Sequence, residues 1–316
     1  MLDKDIYKTI DREARLKAAL HSSSYKKCHE MLQAENPIYT SEEKRRIRDA
    51  IRENRSYVLI GDERYPEKLY DMAWPPLILF YEGDLDLLHR PSAGIVGSRS
   101  CSSYGRRSTG LLSKALSKIG MVIVSGGARG VDSTAHRAAL EESGKTVCVL
   151  GCGLDISYPR ENAHLFSRIR EEGLVISEYP RGFGPAKWTF PMRNRIIAAL
   201  SDAIIVTEAA EKSGSLHTAA FGEEINRPVY AVPHEIFSTG GMGSNALLEM
   251  GARILYRKET LIRDLISEHP QVLQLRIKDL SLLDLQPGLQ ELEKIFGLES
   301  DDDSSWKKSL CDLVRK

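Results

Sequence analysis

The sequence predicts an α/β fold built on a doubly wound, mostly parallel β-sheet. Between Ala93 and Tyr256, short apolar runs alternate with segments of helical pattern. The runs are continuously apolar, which is typical of parallel strands whose two faces are both covered by helices. Hydrophobic residues make up 42% of the 316 residues, enough for a large buried core. Together these observations indicate a Rossmann-like domain flanked by smaller segments.

Residues 1–60 are predicted to form a small helical N-terminal domain. KKCHEML and SEEKRRIRDAIREN have the clearest helical patterns, and Ser41 is placed to cap the second helix. Two apolar runs, YVLI and LILFY, follow and flank a proline-rich connection. They predict two strands that enter the sheet.

Residues 61–256 are assigned to the Rossmann-like domain, in which strand and helix alternate regularly from Ala93. Seven strands are predicted at AGIVG, MVIVSGG, TVCVLGCG, LVISE, DAIIVTE, RPVYAVP and ARILY. The predicted helices are Tyr104–Ile119, Val131–Ser143, Asn162–Glu172, one that begins at Arg193-Asn194-Arg195, one that begins near Ser215, and Ser244–Met250.

Residues 257–316 form the third predicted unit, a small helical C-terminal domain. LQELEKIFGLES predicts one helix, and the acidic stretch DDDSS is expected to be exposed. A divergent winged helix is the alternative for this segment.

Composition and motifs exclude several classes of protein. No apolar run approaches the ~20 residues that a membrane-spanning helix needs, and the charged N-terminus lacks the apolar stretch of a signal peptide, so a cytoplasmic protein is expected. The five cysteines form no C-x-x-C pair, and neither a disulfide nor a metal site is predicted. The glycine-rich loops lack the G-x-G-x-x-G and G-x-x-x-x-G-K-S/T motifs, and no cofactor is expected.

The charge is balanced overall but unevenly distributed. Basic and acidic residues number 44 each. Two windows, Gly94–Val131 and Tyr179–Ser201, contain six and four basic residues respectively and no carboxylate. In an open parallel sheet, ligands bind beyond the carboxyl ends of the strands, and both windows place arginines in loops at that edge. The pattern predicts an anionic ligand there.

The loops after the strands combine small, polar, basic and aromatic residues. Small residues let a ligand approach the backbone, and helix N-termini offer N–H donors to phosphate. Arg193 and Arg195 stand at a predicted helix start, where cations are unfavourable unless an anion is expected. Lys187 and Phe190 supply the cation and the aromatic ring that single-strand binders combine. The candidate nucleic-acid-binding residues are Gly97, Ser98, Arg99, Ser125, Gly126, Arg129, Gly130, Lys187, Phe190, Arg193, Asn194, Arg195, Glu208, Ser213, Gly214 and Ser215.

Two enzymatic alternatives stay open from the residues alone. A nucleophilic triad would draw on Asp132, His136, Ser213, Ser215 and His217, although no G-x-S-x-G motif supports it.

A nucleotide-processing phosphoribohydrolase would need Glu208, or Glu223 and Glu224, as acid or base. Its usual P-G-G-x-G-T-x-x-E motif is absent, and EAAEKSGSLHTAAFGEE stands there instead. Otherwise Glu208 is expected to accept hydrogen bonds from neighbouring loop N–H groups.

Eight motifs occur in an order that resembles the DNA-processing protein A (DprA/Smf) family. They are GIVGSR, SYG, SGGARGVDSTAH, GCGLDISYPREN, SEYP, FPMRNRII, EAAEKSGSLHTA and GSNALLEMGA. The resemblance covers about residues 60–256. It implies an extended Rossmann-like core, a SAM-like N-terminal domain and a homodimer. It also implies a protein that binds single-stranded DNA without catalysing a reaction and loads the RecA recombinase during natural transformation.

The resemblance also implies roles for individual residues. The arginine of the G-S-R motif corresponds to Arg99, and the lysine and phenylalanine before R-N-R correspond to Lys187 and Phe190. The R-N-R motif is Arg193-Asn194-Arg195, and the S-G-S turn is Ser213-Gly214-Ser215. Two positions depart from the family pattern: Val131 replaces an isoleucine and His234 replaces a glycine.

Overall fold

A computed structural model of the chain describes residues 4–21 and 56–279, together with the isolated positions 32, 41, 42, 45, 49 and 52. The helices predicted at KKCHEML and SEEKRRIRDAIREN therefore lie largely outside the described residues. The predictions for LQELEKIFGLES, for DDDSS and for a winged helix lie wholly outside them, and they stay predictions.

The described residues form a nine-stranded sheet, which confirms the predicted fold class. The strands are β1 (Tyr57–Leu59), β2 (Ile78–Gly83), β3 (Ser92–Val96), β4 (Val122–Ser125), β5 (Thr146–Leu150), β6 (Leu174–Ser177), β7 (Ala203–Val206), β8 (Val229–Ala231) and β9 (Arg253–Ile254). Their order is β1-β2-β6-β5-β4-β3-β7-β8-β9. Strands β3 to β9 are parallel, and β1 and β2 add an antiparallel edge beside β6.

Helices cover both faces of the sheet. They are α1 (Lys4–Thr9), α2 (Arg12–His21), α3 (Ser103–Lys118), α4 (Val131–Glu141), α5 (Ala163–Glu172), α6 (Thr189–Leu200), α7 (Ser215–Glu224), α8 (Met242–Glu249), α9 (Lys258–Glu268) and α10 (Gln271–Asp279). Short 3-10 helices lie at Glu67–Asp71, Leu85–His89 and Arg160–Asn162. Within the described ranges, no helix is long and apolar enough to cross a membrane.

The side chains of successive residues in each central strand pack into core clusters on opposite faces of the sheet, as the continuous apolar runs predict. Ile95 and Ile123 lie in one core cluster with helices α3, α4 and α9. Val96 and Val124 point to the opposite face, in a cluster that contains helix α6. Because both faces of each central parallel strand are buried, the polar residues that could bind a ligand lie in the loops beyond the strand ends.

The chain reverses direction across the sheet at β3. From β3 it winds outwards through β4, β5 and β6, and it then crosses back to β7 on the other side of β3. The loops that leave β3 and β7 therefore diverge, and a crevice opens at the carboxyl edge between them. Such a switch point is the usual ligand site of an open α/β sheet.

The terminal elements pack onto the sheet domain. Tyr7 of α1 and Ala18 of α2 are buried against the core, and Arg15 forms an ion pair with Asp62 at 3.1 Å. At the other end, α9 buries Leu261 and Leu265 in the cluster below α3. The domain boundaries at residues 60 and 256 stay predictions.

Helix α6 begins earlier than predicted. It starts at Thr189, so Arg193-Asn194-Arg195 lie in its second turn and not at its N-terminus. Pro191 falls within the first turn, where a missing N–H costs no intrahelical hydrogen bond. The premise that the two arginines face the positive end of a helix was therefore wrong, and their roles depend on tertiary contacts.

Candidate nucleic-acid interface

The loops that follow β3, β4, β5 and β7, together with the start of α6, form a cleft at the carboxyl edge of the sheet. It has two adjoining lobes of about 670 and 540 Å³. The larger, which contains Lys187, is called the Lys187 lobe, and the smaller, which contains Arg160, is called the Arg160 lobe. Their shared wall consists of Arg99, Ser100, Ala128, Tyr158, Phe190 and Arg193.

A cation and two aromatic rings form the centre of that wall. The exposed guanidinium of Arg99 lies 5.2 Å from the centroid of the Phe190 ring. The Tyr158 ring lies 5.4 Å from Phe190, at an interplanar angle of 34°. This grouping can hold a phosphate beside a stacked base, because the charge and the flat apolar surfaces are adjacent.

Glycines in the loops allow the loops to pack against each other. A Cβ atom on Gly130, whose φ is +70°, would lie 2.3 Å from the Ser98 carbonyl oxygen. A Cβ atom on Gly97 would similarly lie 2.7 Å from the carbonyl oxygen of Glu208. The Ser98 N–H donates to that same Glu208 carbonyl at 2.7 Å. These glycines therefore fix the loop that carries Arg99.

Arg193 forms the floor of both lobes. It is 4% exposed, and its Nη1 donates to the Val149 carbonyl oxygen. Gly126 leaves room for it, since a Cβ atom there would lie 1.9 Å from Nη1. Burial lowers the pKa of Arg193 and raises the pKa of Asp132, and the opposite charge of each partly offsets the shift of the other.

The S-G-S turn borders the Lys187 lobe and is held by α6. Asn194 Nδ2 donates to the Gly214 carbonyl oxygen at 3.0 Å, and the Ser213 and Ser215 hydroxyls are 2.8 Å apart. Lys187 is exposed at the rim of the same lobe. Asn194 thus holds the turn against the helix, while Lys187 is available to a ligand.

Three predicted residues are held by internal contacts away from the cleft. Arg195 Nη2 donates to both carboxylate oxygens of Glu178, at 2.5 and 2.6 Å. Glu208 accepts from the Ser102 N–H at 2.9 Å and from the Ser102 hydroxyl, at the start of α3. Glu208 thus accepts from a neighbouring loop N–H group, which is the role that the sequence favours for it over that of a catalytic base. Ser125 is fully buried and donates to the Ile95 carbonyl oxygen.

The nucleophilic triad is not assembled. His136 is fully buried, and its Nδ1 lies 2.7 Å from the Thr146 hydroxyl. Burial lowers its pKa to about 3, so it is neutral. Asp132 lines the cleft and accepts from the Ala128 N–H at 3.3 Å, and the two serine hydroxyls contact each other. The residue types are present, but their side chains do not form a relay.

Four charged or aromatic side chains of the cleft were given no role in the sequence analysis, namely Tyr158, Arg160, Glu161 and Lys212. Tyr158, Arg160 and Glu161 lie in the long loop after β5, and its length could have indicated that it reaches the cleft. No binding residue was predicted in that loop, although GCGLDISYPREN extends along the same sheet edge. Lys212 directly precedes the S-G-S turn and could have been found by its charge.

A sequence model of the family described as DNA recombination-mediator protein A matches residues 56–266. The chain belongs to this family. Protein Smf of Synechocystis is 42% identical over 67% of this chain and 54% of its own length. DNA processing protein DprA of Streptococcus pneumoniae is 44% identical over 62% of this chain and 69% of its own length. The chain thus spans only about half of the Synechocystis relative.

Solved structures of DprA proteins share the fold of this chain. The crystal structure of DprA from Streptococcus pneumoniae matches with a TM-score of 0.68 and 34% identity, over 82% of this chain and 95% of its own. DNA processing protein A from Helicobacter pylori, whose structure was described for its single-stranded DNA binding mode, matches with a TM-score of 0.62 and 34% identity. That match covers 68% of this chain and 99% of the Helicobacter chain. The predicted family and fold are confirmed.

Proposed function

We propose that this chain binds single-stranded DNA in the two-lobed cleft, as a recombination mediator that catalyses no reaction. The observation that carries the proposal is the exposed Arg99 guanidinium beside the rings of Phe190 and Tyr158. The relative from Helicobacter pylori, described for its single-stranded DNA binding mode, supports it.

A single strand suits the cleft better than a duplex. Stacking on Phe190 and Tyr158 requires the flat face of a base, which a paired and stacked duplex does not expose. Arg99, Lys187 and Lys212 supply charge for the phosphates, and charge alone does not discriminate between bases. Binding is therefore expected to tolerate any sequence.

Replacing Arg99 or Lys187 by alanine is expected to weaken single-strand binding by about tenfold, equivalent to about 1.4 kcal/mol. Each replacement removes one phosphate contact, so the log–log salt slope should become shallower by about 0.7. Fluorescence anisotropy of a labelled strand of roughly 20 nucleotides and of its duplex, across a salt series, measures both quantities.

Lys118→Ala is the matched control. Lys118 lies in the last turn of α3, which runs back from the cleft to the opposite edge of the sheet. Its removal should leave the affinity unchanged. Equal binding by Arg99→Ala, Lys187→Ala and the wild type would rule out this site, and preference for the duplex would rule out the proposed function.

The absence of catalysis is proposed from the positions of the carboxylates. Among the described residues, Asp132 and Glu161 are the carboxylates that line the cleft. Asp132 is buried beside Arg193, and Glu161 is paired with Arg129. Glu223 and Glu224 end α7 on the far side from its S-G-S turn. Release of free base from nucleoside monophosphates would contradict this part of the proposal.

We also propose that the bound strand is delivered to a RecA recombinase during recombination and natural transformation. The family description, a recombination mediator, supports this role. RecA-catalysed strand exchange on DNA coated with a single-strand-binding protein should be accelerated by the wild type and not by Arg99→Ala.

A homodimer is proposed through the exposed edge of the sheet at β9. Ile254 is 54% exposed, and Met250 and Tyr256 beside it are 69% and 65% exposed. An exposed strand edge bordered by apolar side chains is suited to pairing with a second copy across a two-fold axis.

Ile254→Glu is expected to convert the dimer into a monomer, because it places a charge in the apolar interface of both copies. Size-exclusion chromatography with light scattering measures the mass of each species. Leu111→Glu, at an exposed leucine on α3, is the matched control and should stay dimeric. A wild-type monomer at all concentrations would contradict the proposal.

A further inference from the structure

We propose that the Arg160 lobe is a second nucleotide subsite and that Glu161 restricts it by neutralising Arg129. This inference rests on the proposed single-strand binding and extends it. The strand would pass from the Lys187 lobe across Phe190 and Tyr158, and it would place its next nucleotide in the Arg160 lobe.

The Arg160 lobe has the chemistry of a nucleotide subsite. Tyr158 is 43% exposed, so part of its ring remains open to stacking. At the floor, buried Arg193 has an Nε atom with no hydrogen-bond partner in the described part of the chain. The exposed Arg160 adds a third side chain suited to a phosphate or a base edge. The aromatic face of Tyr158 and the guanidinium groups of Arg160 and Arg193 therefore line one cavity of about 540 Å³. Arg99 of the shared wall and Arg129 at the mouth line it as well.

Glu161 holds Arg129 in a two-point ion pair at the mouth of this lobe. Arg129 Nη2 donates to Glu161 Oε2 at 2.8 Å, and Nε contacts Oε1. Both side chains are more than half exposed, at 62% and 51%. Water screens both members of this exposed pair, so a phosphate, which can make the same two-point contact, can replace the carboxylate on Arg129. Until it does so, the carboxylate repels any phosphate that enters.

The backbone beneath the pair is fixed, so only side chains need to move. Asn162, the next residue, donates from Nδ2 to the carbonyl oxygens of Gly127 and Ala128, at 3.0 and 3.3 Å. These bonds tie the 3-10 helix that carries Arg160 and Glu161 to the loop that carries Arg129. Cation and carboxylate thus stay at the rim whether or not they are paired.

Glu161→Gln is expected to strengthen binding of a 12-nucleotide strand by about three- to tenfold, because Arg129 becomes available to a phosphate. The salt slope should steepen by about 0.7, which corresponds to one additional phosphate neutralised. Adding Arg129→Ala to Glu161→Gln should cancel both changes. Fluorescence anisotropy across a salt series measures each variant.

Glu172→Gln is the matched control, because Glu172 forms a similar two-point pair with Arg168 on α5. It removes the same charge away from the cleft and should leave affinity and slope unchanged. If the wild type binds single strands but Glu161→Gln does not bind them more tightly, the proposal of a second nucleotide subsite is wrong. The proposed single-strand binding is unaffected by that result. An equal gain in Glu172→Gln, or a gain that survives Arg129→Ala, also overturns the subsite. If wild type binds no single strand, both proposals fail.

Discussion

Replacing Glu178 by alanine is expected to lower the free energy of unfolding by about 3–5 kcal/mol. The side chains of Arg195 and Glu178 are only 7% and 6% exposed, and they are bonded through two short contacts. Arg195 Nη1 also donates to the Trp74 carbonyl oxygen at 2.8 Å. Removing the carboxylate leaves a buried guanidinium whose charge is no longer balanced by its ion-pair partner.

Urea unfolding measures this loss, and two variants test its cause. Glu172→Ala breaks an exposed pair and should cost no more than about 1 kcal/mol. Replacing both partners, as in Glu178→Leu with Arg195→Met, should restore much of the stability because no unbalanced charge remains buried.

The same double variant decides the role of Arg195. If it folds stably yet binds single strands as weakly as Arg99→Ala, then Arg195 contacts phosphate after all.

The positions of Arg99, Lys187 and Phe190 could be predicted from sequence because they depend on local rules. Arg99 and Lys187 lie in loops that follow continuously apolar strands, and Phe190 lies in the first turn of the helix that follows such a loop. All such loops of a parallel sheet meet at one edge. The order of strands along the sheet is not needed for that argument. The loops therefore indicated the edge even though the sequence does not specify which loops are neighbours.

The roles of Arg193 and Arg195 could not be predicted because their partners are distant in sequence. Arg195 is paired with Glu178, 17 residues earlier, and Arg193 donates to Val149, 44 residues earlier. Both contacts depend on how α6 packs against the sheet. Polar residues in front of an apolar run resemble a helix start, but the same pattern arises when buried arginines find internal partners. Local periodicity does not distinguish the two cases.

The stability of the fold is expected to fall by about 2 kcal/mol between pH 7 and pH 5 through His136 alone. Burial, and then the positive charges of Arg193 and Arg137, lower the pKa of His136 from 6.5 to about 3. The Thr146 hydroxyl donates to the Ile123 carbonyl oxygen, so it accepts from Nδ1 of the neutral ring. A second proton would have to be added at Nε2, which is buried without a hydrogen-bond partner within the described residues.

The sign of the effect follows from which state takes up the proton. Below pH 6.5 the unfolded chain protonates its histidine while the folded chain does not, so stability present above that pH is lost as the pH falls towards 3. Urea unfolding at pH 7 and pH 5 measures the loss in the free energy of unfolding between the two pH values. This loss should be about 2 kcal/mol smaller in His136→Gln than in the wild type. The other histidines are present in both proteins, so their contribution cancels in the comparison. Identical pH dependence in the variant and the wild type would mean that His136 takes up a proton in the folded state, and that its environment is less closed than the packing against Thr146 indicates.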